Sequence, residues 1–298
     1  MVDTMGVTQS ANFIPEIWAN AALGKLEAEL NLAKNVARDF EFTTQKEGDT
    51  IHIPVRGALT ANAKVSGTGV TLQNPTATKV DVTLDQHFEV TFAVEDIAKA
   101  QANQDIMMGY VEDAVIALAE KIEAALAGLY GSLTGATVNS GGGDITEDDI
   151  LSAREALTNA RAPRNGRFLY LDPSQVSVLL KLERFTTPEK YGSGMPVQEG
   201  ELGKIHGFRV FESLFVESAG SPAVNKNLAM HRNAMVLAMR PLPEPKAGGV
   251  VSTVVEKDGI GIRVIYSYNA DQLADQVTLD ILYGVGVLRS ALGMVVES

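Results

Sequence analysis

The 298 residues are 45% apolar and 21% charged, carry a net charge of −12 and include no cysteine. That length fills one large core or two modest ones, the balance is that of a folded chain rather than a disordered or fibrous one, and the missing thiols exclude disulfides, thiol nucleophiles and cysteine-ligated metal sites. No apolar run reaches the roughly 18–20 residues that span a bilayer, and the acidity argues against coating nucleic acid by charge alone.

The opening Met1–Gly6 lacks the basic-then-apolar pattern of a signal peptide, so synthesis in a cytoplasm is expected. The first dozen residues carry little pattern and suggest an extended arm. From Ile14 to about Phe40, Ile17, Ala21, Leu26, Leu30 and Ala33 fall near helical spacing, with Pro15 suited to a first turn. Trp18, the only tryptophan, lies on this stretch, where a large aromatic docks on the body of the protein or on a neighbour. Between Phe42 and Phe92, the segments Thr50–Val55 and Lys79–Leu84 alternate as strands do. Residues 57–75 between them are rich in Gly, Thr, Ala and Asn. This pattern predicts a long two-stranded excursion with a mobile tip. It has too little apolar mass to be stable alone, so something outside the subunit should pack against it.

From Ala102 to Tyr130, Ile106, Tyr110, Val115, Leu118, Ile122, Leu126 and Leu129 recur at three- and four-residue intervals, alanine fills many other places, and Gly131 supplies a stop. At about 1.5 Å per residue this helix would run roughly 40 Å, as a strut does. A flexible connection from Thr134 ends in Gly141–Gly143. Thr146 and Asp149 then suggest a capping box for a helix through Ile150, Leu151, Ala153, Leu157 and Ala160, closed by Pro163 and Gly166. Arg167–Leu171 reads as a short apolar strand, followed by Asp172 as N-cap and Pro173 as first-turn proline of a helix through Val178 and Leu182. A glycine-punctuated loop spans Phe185–Gly203. Strands are expected at Phe208–Phe215 and Leu228–His231, then an irregular proline-rich crossing at Arg240–Pro245, then closing strands at Ile262–Tyr268, Val277–Leu288 and Met294–Val296.

Candidate chemistry is sparse. Ser193 sits between two glycines but lacks the strand–turn–helix setting of a nucleophile elbow. Gly141–Gly143 lacks the lysine and hydroxyl of a phosphate loop, and Asp144 would repel phosphate. Glu147, Asp148 and Asp149 have no glycine-centred calcium loop and suit a helix N-terminus. The four histidines, His52, His87, His206 and His231, are scattered without metal-ligand spacing. Arg161, Arg164 and Arg167 cluster on a turn that suits plain solvent, an anion or DNA, or a salt bridge to a neighbouring subunit. No catalytic residue, cofactor or metal is expected. An α/β hydrolase-like enzyme using Ser193 or a histidine is the rival of another class.

The order of elements is an arm with a helix, a long hairpin excursion, a strut helix, a compact α/β region and closing strands. That α+β order resembles the fold shared by tailed-bacteriophage major capsid proteins, encapsulins and the floor of herpesvirus capsids. Gly203-Lys204-Ile205-His206-Gly207-Phe208-Arg209-Val210 is similar to that family's turn-plus-strand element, and Leu228–Ala234 to the strand and short helix after it. Ile262–Tyr268 and Asp280–Arg289 resemble its C-terminal strands.

The resemblance implies an N-terminal arm and helix at 1–42, an E-loop with flanking strands at 43–90, a peripheral domain with its spine helix at 91–139 and 266–298, and an axial domain at 140–265. It implies a shell of hexamers and pentamers around a phage double-stranded DNA genome, found in the virion and made in the host bacterial cytoplasm. Subunit contacts are expected from Phe13 and Trp18 on the arm, from Arg56, Lys64, Val70 and Leu72 on the E-loop, and from Arg161 and Arg164. Expected partners are other copies of the chain, a separate scaffolding protein (or a removed prosegment), a portal, a decoration protein in some shells, and packaged DNA without sequence-specific contact; no membrane is expected. Gly131, Gly135 and the triple glycine are candidate pivots for shell expansion. An encapsulin-like nanocompartment is the alternative container.

Overall fold

The computed structural model describes residues 22, 30–38, 50–57, 59–74, 77–95, 104–181, 203–245, 250–257, 260–271 and 273–298. Phe13, Trp18, the Ile14–Phe40 helix before residue 30, and Ser193 lie outside them, apart from Ala22, which is helical and buried.

Two strands, β1 (Thr50–Arg56) and β2 (Ala77–Thr83), form the expected hairpin, antiparallel with Thr50 opposite Thr83 and Arg56 opposite Ala77. Two residues later β3 (Gln86–Glu95) begins, and it joins a different sheet. The expected E-loop span of 43–90 is therefore longer than the hairpin. Gln86–Glu95 pairs along its length with β12 (Ala274–Val287) because its alternating Phe88, Val90, Phe92 and Val94 pack on the main core. In the first sheet β12 also pairs with β11 (Ile260–Asn269), which pairs with β10 (Val250–Lys257), while residues 283–287 of β12 pair with β9 (Met235–Met239).

The strut helix is α1 (Gln104–Ala127), which tightens into a 3₁₀ turn at Gly128–Ser132. Its 24 residues run about 36 Å. Val111, Ala114, Val115, Leu118, Ala119, Ile122 and Leu126 are buried at helical spacing against the first sheet. Tyr110, expected on that face, is 53% exposed. It sits at the margin of the stripe, its ring 5.8 Å from that of Phe92. At the other margin Tyr283 Oη donates to the Lys121 carbonyl at 3.0 Å, and burial pushes the phenol up to about 12.

The second sheet runs β13 (Gly293–Glu297), β8 (Val224–His231), β4 (Arg167–Leu171), β6 (Phe208–Glu212), β5 (Lys204–Ile205), with β7 (Ser218–Ala219) beside β8. Among the described strand pairs of this sheet, only β4 with β6 is parallel. All five residues of β4 are buried, as its continuous apolar run requires of a strand covered on both faces. Helix α2 (Glu147–Asn159) has the expected capping box: the Asp149 amide donates to Thr146 Oγ1 at 3.3 Å, and the Thr146 amide to Asp149 Oδ2 at 2.8 Å. It ends with the Ala162 amide on the Leu157 carbonyl and the Arg161 amide on the Thr158 carbonyl, with Arg161 at φ +58°. Glycine usually fills that left-handed position, and a side chain there costs about 1 kcal/mol. Helix α3 (Pro173–Leu180) starts at Asp172, whose side chain accepts from the Ser174 amide.

The closing segment 266–298 does not stay in one sheet. The expected boundary at 265/266 falls inside β11, and β13 crosses to the second sheet to pair with β8. One continuous apolar core, from Leu30 and Val36 through α1 to Phe208 and Met294, unites both sheets.

A smaller core seats the hairpin. Ile51, Ile53, Val82 and Leu84 meet Val236, Ala238 and Leu282. The approach is so close that a Cβ at Gly284 would stand 2.2 Å from the Thr83 carbonyl oxygen. Gly284→Ala should therefore destabilise the subunit by about 2–3 kcal/mol in urea unfolding, as overpacking does. Gly131→Ala, which meets nothing within 4 Å, should stay within about 0.5 kcal/mol of wild type.

Candidate assembly surfaces

The tip of the hairpin, residues 59–74, is described but forms no strand. Its turn is held locally: the Thr68 amide donates to the Val65 carbonyl at 3.3 Å, Thr68 Oγ1 to the same oxygen at 2.8 Å, and Gly67 takes φ +84°. Lys64, expected at an interface, folds back over its own turn. Its Nζ donates to the carbonyls of Val65 and Thr68. Nearer the body, Thr60 and Gln73 clamp the two legs, the Thr60 amide donating to Gln73 Oε1 at 2.9 Å.

The apolar residues of this tip face solvent. Leu72 is 91% exposed, Val70 73%, Leu59 67% and Val65 63%. A single exposed leucine needs no explanation, but four large apolar side chains on one polar excursion form an apolar surface that the subunit itself leaves bare. Val70 and Leu72 were expected to make subunit contacts, and the structure places both where a second molecule can reach them. The backbone of Arg56 is the last of β1, opposite Ala77. The outer face of the hairpin is polar: His52 Nδ1 lies 2.5 Å from Asp81 Oδ1, and Lys79 Nζ 3.0 Å from Asp81 Oδ2. The His52 bond, then Lys79, hold the Asp81 carboxyl below the usual range.

Where the described chain resumes after the arm, residues 30–38 clasp the body. Glu123, 3% exposed on the buried face of α1, accepts from the Leu32 amide at 2.9 Å and the Ala33 amide at 3.0 Å. Ala37 bridges Val236 in parallel, with its amide on the Met235 carbonyl at 3.1 Å. Tyr170 of β4 reaches the same turn, 3.4 Å from the Asn31 carbonyl, and burial pushes its phenol far up. One short segment thus touches the strut helix, the first sheet and the second sheet. Nothing in the local spacing around Glu123 marks it for this role, because its partners lie about ninety residues earlier.

Arg161 and Arg164 are exposed on the turn after α2, whereas Arg167 is buried. Arg167 Nε donates to the Pro163 carbonyl at 2.9 Å, and its Nη2 to the Ala162 carbonyl at 2.8 Å. The expected pivots divide as well. Gly131 is open, but a Cβ on Gly135 would come within 2.2 Å of the Gly293 carbonyl. Gly141–Gly143 is a pinned turn with φ between +81° and +122°, the Gly141 amide donating to Glu297 Oε2 at 2.9 Å. That amide, then Lys226, hold the Glu297 carboxyl down.

The histidines are occupied with structure. His206 Nε2 lies 2.7 Å from Glu147 Oε1, His87 Nε2 lies 3.0 Å from Asp280 Oδ2, and His231 Nδ1 accepts from the Asn233 amide at 3.1 Å. Arg263 closes on Asp280 from β11 and on the Pro243 carbonyl at 2.7 Å, tying the proline-rich crossing to the sheet. Among the described residues no group of three or more histidines and carboxylates could hold a metal ion, and no helix is long and apolar enough to cross a membrane.

The sequence profile of the phage capsid protein family matches residues 77–295. The chain belongs to that family. No curated protein sequence matches it significantly. A structure from Mycobacterium phage Che8 is similar at a TM-score of 0.66 and 21% identity, covering 90% of each chain. The capsid of cyanophage P-SCSP1u is similar at 0.60 and 17% identity, covering 85% of this chain and 84% of that one. A virus-like particle from Pyrococcus furiosus is similar at 0.51 and 13% identity, covering 95% and 99%. These likenesses agree on the fold, and membership of the phage capsid family makes the chain a capsid shell subunit of the virion.

The clasp on this capsid protein gives a pH signature. Burial raises the Glu123 carboxyl, and the amides of Ala33, Leu32 and Asn31 only partly offset it. The folded subunit therefore keeps a proton at pH values where the unfolded chain has lost it. The associated stability is fully present below the ordinary glutamate range and is lost as pH rises through the raised value. Glu123→Gln should flatten that part of the stability–pH curve. Glu123→Ala, which strands two buried amides, should cost about 2–3 kcal/mol at any pH, both read by chemical denaturation.

Proposed function

We propose that this capsid protein builds an icosahedral shell of hexamers and pentamers around a phage double-stranded DNA genome, acting by self-assembly and without catalysis. The observation that carries this reading is the projecting hairpin, whose tip exposes Leu59, Val65, Val70 and Leu72. A lone subunit cannot bury that surface, and a neighbour can. Burying each such side chain is worth about 1.5–3 kcal/mol, and repetition around a ring makes modest contacts cumulative.

In this reading the hairpin is the E-loop, and α1 with the first sheet forms the peripheral domain. The second sheet with α2 and α3 forms the axial domain. Phe13 and Trp18 of the arm, Arg56 and the tip residues are contacts to neighbouring copies. Synthesis is in the host bacterial cytoplasm, and the other partners are a separate scaffolding protein, a portal and a decoration protein. The packaged DNA is held without base-specific contacts, consistent with the net charge of −12. The likeness to the Pyrococcus furiosus virus-like particle supports a second reading, a nanocompartment enclosing protein. Nucleic-acid content of purified particles separates the two.

Removing the tip, residues 59–72, should leave a folded subunit with an unchanged melting temperature, because its apolar side chains contribute to neither core. That subunit should sediment as unassembled protein. Particles of normal size in electron micrographs would overturn the role given to the tip. The milder pair Val70→Asp and Leu72→Asp should weaken assembly in the same direction.

A further inference from the structure

Six of the chain's twelve arginines converge at the end of the second sheet where β4 begins and β8 stops. Arg154 lies on α2, Arg161 and Arg164 on the turn after it, and Arg167 opens β4. Arg232 follows β8, and Arg289 follows β12. Backbone bonds bring the segments together: the Arg232 amide donates to the Gly166 carbonyl at 2.9 Å, and the Arg289 amide to the Ala234 carbonyl at 3.1 Å. Arg154 and Arg164 act electrostatically on Arg167, and Arg167, Arg289 and Arg232 act on His231.

Buried Arg167 is satisfied by the Pro163, Ala162 and Arg154 carbonyls and by Thr158 Oγ1, none of them anionic. Arg154, Arg161, Arg164 and Arg289 are exposed, and among the described residues no carboxylate pairs with any of them. Arg161 also occupies the left-handed position that glycine fits best, so the backbone gains nothing from its side chain. In a chain of net charge −12, this is a positive surface built against the trend.

The opposite end of α2 has the opposite sign. Its first turn is Glu147, Asp148 and Asp149, preceded by Asp144, with Asp144 and Asp148 exposed. The 13 residues of α2 separate the two ends by about 20 Å. A two-fold contact through the arginine edge would set like charges face to face. A head-to-tail contact instead sets the arginine edge of one copy against the acidic end of the next, and such contacts close into rings. Guanidinium forks suit carboxylates, and complementary charge fixes register.

We propose that the arginine edge around Arg161 and Arg164 is a contact between adjacent copies in a ring, receiving the acidic first turn of α2 from the neighbour. This deepens the shell-subunit reading and rests on it. A nucleic-acid phosphate backbone is the other polyanion such an edge fits. The second copy is favoured because the complementary charge lies on the same helix of the same chain.

The test compares four full-length chains: wild type, Arg161→Glu with Arg164→Glu, Asp144→Lys with Asp148→Lys, and all four together. Assembly is followed by sedimentation and electron microscopy, and folding by circular dichroism. Each pair should lower the assembled fraction about tenfold or more without unfolding the subunit, since like charges then meet. The four-fold variant should recover most of it, and wild-type assembly should weaken as salt rises. If wild type assembles and both pairs assemble equally well, the contact is refuted while the shell reading stands. Normal particles that have lost nucleic acid in the arginine pair would assign the edge to phosphate and refute the contact. A wild-type chain that stays monomeric at every concentration and salt, with and without its scaffolding protein, would refute the shell reading itself.

Discussion

Strand β12 is the constraint on which the other elements depend. Its backbone serves β3 along residues 274–283, β11 along 274–280 and β9 along 283–287, so three strands share one template. It also forms the floor on which the hairpin crosses. Gly284 and Gly286 leave room there, since a Cβ at Gly286 would already press within 3.1 Å of Val82. The small core beneath the crossing, with Ile51, Ile53 and Leu84, then aims the hairpin away from the body. A projecting arm can be rigid at its root and unsupported at its tip only because the root is packed this closely.

The second junction is polar. Glu123 turns the inner face of the strut helix into an acceptor for the backbone of residues 32 and 33, and Tyr170 meets the same turn from the second sheet. A buried carboxylate is tolerated where its oxygens are satisfied by amides. The consequence is close packing among the helix, both sheets and residues 30–38. The glycines that read as pivots in sequence divide accordingly: Gly135 is wedged against Gly293 and the Gly141 amide is held by Glu297, whereas Gly131 stays open.

Among the surfaces left facing solvent are the apolar tip of the hairpin and the arginines at the end of α2. One calls for burial and the other for negative charge, and in the proposed shell copies of the same chain meet both needs. Membership of the phage capsid family gives these surfaces a common setting, a shell in which every subunit has neighbours on several sides.

Local chemistry was legible from the sequence. The capping box at Thr146, the Asp172-Pro173 helix start, the buried run of β4 and the long helix all depend on residues within one or two turns of each other, and all four lie where their spacing places them. The hairpin was legible too, since alternation and turn-forming residues suffice to mark it. Strands β9 and β10 were not, because Met235–Met239 is a short continuous apolar run that fits helix or strand equally, and Val250–Lys257 gains its identity only by pairing with β11. The burial of Arg167 beside exposed Arg161 and Arg164, the folding back of Lys64 and the clasp at Glu123 were likewise decided in three dimensions. The sequence by itself determined which elements form, through periodicity and capping. Only the tertiary structure decided which strand pairs with which, and which charged and apolar groups remain facing outward, because pairing and burial depend on residues far apart in the chain.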